Sequence, residues 1–318
     1  MGGVLDPAVS KARNLIADNM ADLGPGSRVV AAVSGGADSL ALAAALVFVA
    51  RKEGWLAKAI VIDHQLQEDS ARISAEAAAA VRTLGIEADI VVIDVGSDGG
   101  PEAAARVARY GALDAIEDVD AVLLGHTLDD QAETVLLGLS RGSGPRSIAG
   151  MTPVSGRYRR PFLGMERSET EQVCRASGLT WWTDPHNSDP AYLRVRIRHE
   201  VIPMLEDVLG PRINASLART ADLVRSDSDY LDALAAAEAD SLSVGHLAGL
   251  AGPIRSRVLR RASLEAGASA SELSARHLRQ VDELITNWRG QKFVELPGGI
   301  AVARRGDTLS FGPNPVTP

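Results

Sequence analysis

Cysteine occurs once in these 318 residues, at Cys174. That excludes an internal disulfide, a cysteine zinc site and a cysteine-ligated iron–sulfur cluster. Lysine occurs four times, at Lys11, Lys52, Lys58 and Lys292, and none of them follows a glycine loop. The phosphate loop of the common nucleoside triphosphatases needs Gly-Lys-Ser/Thr and is therefore missing. A GxGxxG fingerprint after the first strand is missing too. No apolar run reaches the roughly 18 residues of a membrane span. The longest, residues 40–50, is mostly alanine and stops at Arg51-Lys52-Glu53. There is no basic start followed by an apolar stretch, no internal repeat and no low-complexity tract. These absences leave a cytoplasmic protein, not bound to a membrane, as the expectation.

The charge is unevenly spread. Residues 1–150 carry 12 basic and 21 acidic side chains, and residues 151–318 carry 21 and 20. The chain as a whole has a net charge of −8. A polyanion is thus more at home on the second half, where arginines cluster. An arginine-biased composition is the plainer explanation of their number.

Hydrophobic spacing predicts an amphipathic helix over residues 8–23, broken by Gly24-Pro25-Gly26. Residues 28–33 (RVVAAV) form an uninterrupted apolar run, as in a parallel strand buried on both faces. A helix follows from about residue 40 to 52. Strands at 57–63, 87–95 and 121–125 then alternate with helices at 70–84, 101–117 and 130–139. This alternation predicts a doubly wound parallel α/β domain. After Pro161 the pattern turns helical, at 165–177, 196–209, 212–240, 254–266 and 274–285. A small hairpin closes the chain, and residues 313–318 read as a frayed tail. The expected division is 1–215 for a catalytic domain and 216–318 for a helical substrate-binding domain with a terminal hairpin.

The strongest chemical signal is Ser34-Gly35-Gly36-Ala37-Asp38-Ser39, between the first strand and its helix. Two glycines let backbone amides approach an oxyanion, and the helix N-terminus adds amides and a positive dipole end. Ser34 and Ser39 can donate hydroxyl hydrogen bonds. Asp38 would repel phosphate unless it shares a metal ion with it. Asp63 and His64 follow the second strand, and His126 the fourth, at strand ends where such sheets bind ligands. Arg106, Arg109 and Tyr110 can share one helical face with Glu102. Asp130, Glu133 and Thr134 can share another, and two carboxylates there could hold a metal or an amine. Arg141-Gly-Ser-Gly-Pro145 reads as a basic, glycine-rich loop. Trp181 and Trp182 read as core, and Cys174 as a small buried side chain.

SGGADS resembles the loop of the N-type ATP-pyrophosphatases, or PP-loop family, whose fold is the adenine-nucleotide α-hydrolase-like sheet. The resemblance implies ATP as substrate, magnesium and an adenylated intermediate. Further segments narrow it: Arg160-Pro-Phe-Leu163, Trp182-Thr-Asp-Pro-His-Asn-Ser-Asp189, Tyr192-Leu-Arg-Val-Arg-Ile-Arg198, Ile202-Pro203 and Glu295-Leu-Pro-Gly-Gly299. Together with SGGADS and Gly125-His-Thr-Leu-Asp-Asp130, they resemble the tRNA(Ile)-lysidine synthetases. Val195 and His186 depart from the family's usual Asn and Ser, and the extra C-terminal module of longer members is not in this sequence.

That family implies ligation of free L-lysine to the wobble cytidine of a tRNA(Ile) with a CAU anticodon, and it allows a homodimer. On this reading residues 34–39 bind the phosphates, with Asp38 as the magnesium ligand and Asp63, His64 and His126 beside the nucleotide. Arg106 and Arg109 offer a cation clamp on the reacting phosphoryl group. Asp130 and Glu133 are the expected pair for lysine's amine. Arg141, Asn187, Arg194 and Arg198 are candidates for substrate contacts, with Arg212, Arg219, Arg225, Arg255, Arg257, Arg260 and Arg261 as further tRNA contacts. A tRNA 2-thiolase of the same loop class would need more cysteines. A non-catalytic adenine-nucleotide sensor would have no use for the acidic pair.

Overall fold

The structure, a computed structural model, describes residues 5–65, 69–96, 101–142 and 144–315, the side chains of 101–103 excepted. The segment after the second expected strand is therefore described without 66–68, and the glycine-rich loop without Ser143. The Glu102 side chain and tail residues 316–318 also lie outside the described residues.

The chain divides into two compact units. The first contains residues 1–136 and 151–218. Its elements are α1 (Pro7–Asn19), β1 (Arg28–Val33), α2 (Ala37–Glu53), β2 (Leu56–Asp63), α3 (Ser70–Thr83), β3 (Glu87–Val92), α4 (Pro101–Asp114) and β4 (Ala121–Leu124). After α5 (Leu128–Arg141) and a short α6 (Pro145–Ile148) come β5 (Val154–Ser155), β6 (Tyr158–Arg159) and α7 (Arg167–Ala176). The sheet order is β3-β2-β1-β4-β6-β5, parallel except for the β5–β6 pair. The doubly wound parallel sheet is thus as expected, with a short hairpin, β5 and β6, added at one edge. Two-residue strands are too short to show a period in sequence.

Alternation along β1 explains why its apolar run is unbroken. Val29, Ala31 and Val33 pack into one core with α1, α2 and α7, and Val30 packs into another with Ile60, Val122 and Leu113 of α4. Both faces are buried, so both sets of side chains must be apolar. The alanine-rich α2 is buried almost all round. The order reverses at β1, between β2 and β4, which is where open α/β sheets bind ligands.

Near residue 193 the helix expected at 196–209 starts earlier and is not regular. It runs as α8 (Leu193–Arg196), a π-helical turn (Ile197–Val201) and α9 (Ile202–Leu209). Val195 is buried there, so an apolar side chain suits that position.

The second unit contains residues 137–150 and 219–318. The single boundary expected near 215 is corrected accordingly: the end of α5 and all of α6 belong to the second unit. The reason is local bonding. Arg146 Nη1 lies 2.6 Å from Asp229 Oδ1, and Arg225 Nη1 donates to the Ala149 carbonyl at 2.9 Å. Around the later part of α10 (Ile213–Ala237) the unit adds α11 (Val244–Gly249), α12 (Gly252–Glu265) and α13 (Ala275–Thr286). Its sheet is a three-stranded antiparallel meander, β7 (Val294–Leu296), β8 (Ile300–Arg305) and β9 (Thr308–Pro313), where a simple hairpin was expected. Leu247, Leu259, Val281, Leu284 and Val302 form its core. Among the described residues, no helix is long and apolar enough to cross a membrane.

Candidate functional site

The glycine loop leaves the carboxyl end of β1 and enters α2. Gly35 takes φ +83°, a left-handed conformation natural to glycine. The Ser34 amide donates to Ser39 Oγ at 3.1 Å, and Ser39 Oγ donates to the Gly36 carbonyl at 2.9 Å. No described side chain caps α2, which leaves its first amides without a side-chain acceptor. Two outside contacts hold the loop. The Trp182 amide donates to the Gly35 carbonyl at 3.0 Å. The turn after β4 presses against the start of α2: a Cβ on Gly125 would lie 3.0 Å from the Asp38 carbonyl oxygen. Trp181 packs on the core, as expected.

Asp38, Asp130 and Glu133 come together with three arginines. Thr127 N and Oγ1 donate to Asp130 Oδ2 at 2.8 and 3.0 Å, fixing the carboxylate over the first turn of α5. Arg167, at the start of α7, reaches both acids, with Nε 3.5 Å from Asp38 Oδ2 and Nη2 3.1 Å from Asp130 Oδ1. Its own amide donates to Asp129 Oδ2 at 2.9 Å. The Thr170 hydroxyl donates to Asp38 Oδ1. From the π turn, Arg198 grips Glu133 with Nε at 2.7 Å and Nη2 at 3.2 Å, and lies 3.5 Å from Asp130. Arg194 Nε is 3.6 Å from Glu133, and its Nη2 donates to Thr134 Oγ1 at 3.3 Å.

The two acids of α5 are driven apart electrostatically. Burial raises Glu133 above the usual carboxylate range, against the pull of Arg198. Burial also opposes ionisation of Asp130, but Arg167, His126, the Thr127 amide and Arg198 together hold it below that range. Asp38 is raised, chiefly by burial.

A second, cationic group borders the first. Arg109 is pushed down by burial and by its neighbours Arg106, Arg194 and Arg160. Arg160 Nη2 donates to the Tyr110 hydroxyl at 3.3 Å. His64 is lowered by burial and Arg109, and His126 falls to about 4, mainly through burial. The Nδ1 atoms of both histidines and the Nε atoms of Arg109 and Arg160 are buried with no partner among the described residues. Unsatisfied polar atoms converging at strand ends are what a bound polar ligand would satisfy.

Of the residues singled out in the sequence, the structure thus gathers Asp38, Asp130, Glu133, Arg194 and Arg198 in one cluster, and His64, Arg106, Arg109 and His126 in the adjoining one. Asp63 ends β2, its Oδ1 accepting from the Gln65 amide at 3.0 Å. Asn187 lies exposed on a 3-10 turn (Pro185–Ser188), and Arg141 belongs to the second unit. The acidic pair, read from the sequence as able to hold a metal or an amine, is here paired with arginine. Arg160 figured in the sequence only as part of a family segment, and Arg167 and Thr170 carried no expected role. Arg167 did carry a signal: a cation in the first turn of a helix opposes the helix dipole and needs an acid nearby. Of the seven arginines offered as tRNA contacts, Arg225, Arg255, Arg257 and Arg261 are ion-paired within the second unit, so their charge is largely neutralised there.

A family model described as the PP-loop domain matches residues 7–205, and one described as the TilS substrate binding domain matches 242–310. The tRNA(Ile)-lysidine synthase of Thermobifida fusca is 50% identical over 311 residues, covering 94% of this chain and 95% of that protein. The same-named proteins of Streptomyces coelicolor (50% over 295 residues; 88% and 84% covered) and Rhodococcus opacus (49% over 319; 96% of each) are similar. The U34-tRNA thiolase NcsA from Methanococcus maripaludis superposes with a TM-score of 0.57 at 18% identity, over 69% of this chain and 80% of that one, a likeness of fold alone. With a glycine loop at the switch point of its sheet and this identity along nearly its whole length, the chain belongs to the tRNA(Ile)-lysidine synthase family.

Proposed function

We propose that this chain is the cytoplasmic ligase that joins free L-lysine to the wobble cytidine of tRNA(Ile) bearing a CAU anticodon. The cytosine 2-oxo oxygen attacks the α-phosphorus of ATP and pyrophosphate leaves. Lysine's ε-amine then attacks the activated ring carbon and AMP leaves with the oxygen. The observation that carries this reading is a single arginine, Arg167, standing between Asp38 of the phosphate loop and Asp130 of the acidic pair. Phosphate chemistry and amine recognition thereby share one site.

Residues 34–39 and the open start of α2 suit the phosphates. Arg106 and Arg109 suit the charge that develops on the phosphoryl group. A carboxylate with raised affinity for protons beside one kept ionised divides the labour at the amine. Glu133 takes the proton, and Asp130 stays charged to hold the ammonium. Both must first loosen from Arg198. Asp63, His64 and His126 border the nucleotide, with neutral histidines as hydrogen-bonding groups. Asn187, Arg194 and Arg198 approach the tRNA side of the site, and Arg141 contacts tRNA from the second unit.

Among the described residues, no three His, Cys, Asp or Glu side chains group to hold a metal. Magnesium commonly binds through one or two carboxylates and phosphate oxygens, and a lone Asp38 beside the loop fits an ion that arrives with ATP. Such an ion would neutralise phosphate charge, and Asp38 would hold it after releasing Arg167.

Mass spectrometry of a tRNA(Ile) transcript after incubation with ATP and lysine tests the reading. A gain equal to lysine less one water supports it. An unchanged mass overturns it, and absence of pyrophosphate as well would favour a nucleotide sensor. Homodimer formation, which the family allows, is read from the molar mass in solution.

A further inference from the structure

The tryptophan of the second unit is not used by its core. Trp288, just past α13, is 47% exposed, whereas Trp55 is 7% exposed and Trp181 and Trp182 are half-buried. The Arg304 guanidinium lies over its ring, 4.6 Å from the centroid. The placement follows from the sheet. Val302 and Arg304 share one face of β8; Val302 ends in the core, and Arg304 runs past it to the end of α13. There its Nε donates to the Gly306 carbonyl at 3.1 Å and its Nη1 to the Leu284 carbonyl at 3.1 Å. Carbonyls orient the guanidinium without cancelling its charge.

The surroundings are cationic as well. Arg289 and Lys292 follow Trp288 in the same loop and are exposed, with Arg289 Nε bonded to the neutral Asn287 side chain at 3.2 Å. Of the acids on the last turns of α13, Asp282 is taken by Arg255 and only Glu283 stays exposed. Elsewhere in the unit Arg146, Arg255, Arg257 and Arg261 each have a carboxylate. An oriented cation on an exposed ring, with further cations beside it that have no ion pair among the described residues, is the chemistry that binds a base by stacking and its flanking phosphates by charge. On a chain of net charge −8, such a spot is where a polyanion can land.

We propose that Trp288 and Arg304, with Arg289 and Lys292, form an RNA-binding platform on which an unpaired base of the tRNA stacks. This rests on the reading that the chain acts on tRNA. The probe is a tRNA(Ile) transcript titrated against the full chain and its Trp288→Ala, Trp288→Phe and Arg304→Gln variants, at several salt concentrations, with thermal unfolding as a control. Trp288→Ala is expected to weaken binding about ten-fold, and Trp288→Phe to restore most of it, because stacking needs a flat face. Arg304→Gln is expected to lower the slope of log affinity against log salt by roughly 0.7–0.9. Folded variants that bind with wild-type affinity and slope overturn the platform. So does a Trp288→Ala protein that changes its oligomeric state but not its tRNA affinity. A wild-type chain that does not bind the transcript overturns the underlying reading as well.

Discussion

Arg167 joins Asp38 to Asp130, with Nε 3.5 Å from the first carboxylate and Nη2 3.1 Å from the second. Without it the two acids would face each other across a poorly solvated gap. Arg167 favours the charged form of Asp38 and Asp130 opposes it, against a background of burial that already raises Asp38. In Arg167→Gln the Asp38 carboxyl should rise further. The acid limb of pyrophosphate release should then move to higher pH. An unmoved limb would mean that Arg167 does not govern the charge on Asp38.

Asp38→Asn keeps the shape and removes the charge. If Asp38 holds a magnesium ion on the phosphates, pyrophosphate release should fall at least ~10²-fold, with thermal unfolding little changed. The measurement is the initial rate at saturating magnesium, and near-normal turnover there would exclude the metal role.

Glu133 is fully buried and gripped by Arg198 through both oxygens. Arg198→Ala removes that grip and leaves Arg194 as the nearer cation, so it should destabilise the first unit by at most roughly 3–5 kcal/mol, read from chemical denaturation. Glu133→Gln is milder for the fold and harsher for the second half-reaction. Pyrophosphate release should continue while lysidine fails to form. Equal loss of both steps would place Glu133 with the nucleotide.

His126 binds its proton less tightly in the fold than in the unfolded chain, about 4 against an ordinary 6.5. The unfolded chain therefore holds more protons between those values. Stability rises with pH across that window and is lost as pH falls from 6.5 towards 4, by on the order of 2–3 kcal/mol if His126 acts alone. Denaturation midpoints should show this fall, and His126→Gln should flatten it. Burial of Glu133 and Asp38 in a raised state works in the opposite direction, since their stabilising protonated forms disappear as pH climbs.

The parallel sheet was legible in the sequence because burial on both faces leaves β1 no polar position after Arg28, and the glycine loop because Gly35 and Gly36 punctuate it. Pairing was harder to see. Arg198 meets Glu133 across 65 residues, and Arg167 meets Asp38 across 129. Neither partner carries a local mark beyond an arginine placed where a helix start disfavours it. Periodicity also misses a π turn. Arg194, Arg196 and Arg198 alternate in sequence as if on a strand edge, yet Arg194 and Arg198 converge on Glu133 while Arg196 turns to Glu200, 3.1 Å away.

The polypeptide passes between its two units three times, after residues 136, 150 and 218. No single cut can part them. A chain ended near residue 215 would lack Asp229, Asp232 and Arg225, which hold Arg146 and the Ala149 carbonyl. It would keep residues 137–150 as an orphaned insert inside the first unit. The first unit is therefore not a portable module: to move it to another protein, the excursion at 137–150 must be spliced out as well as the C-terminal part.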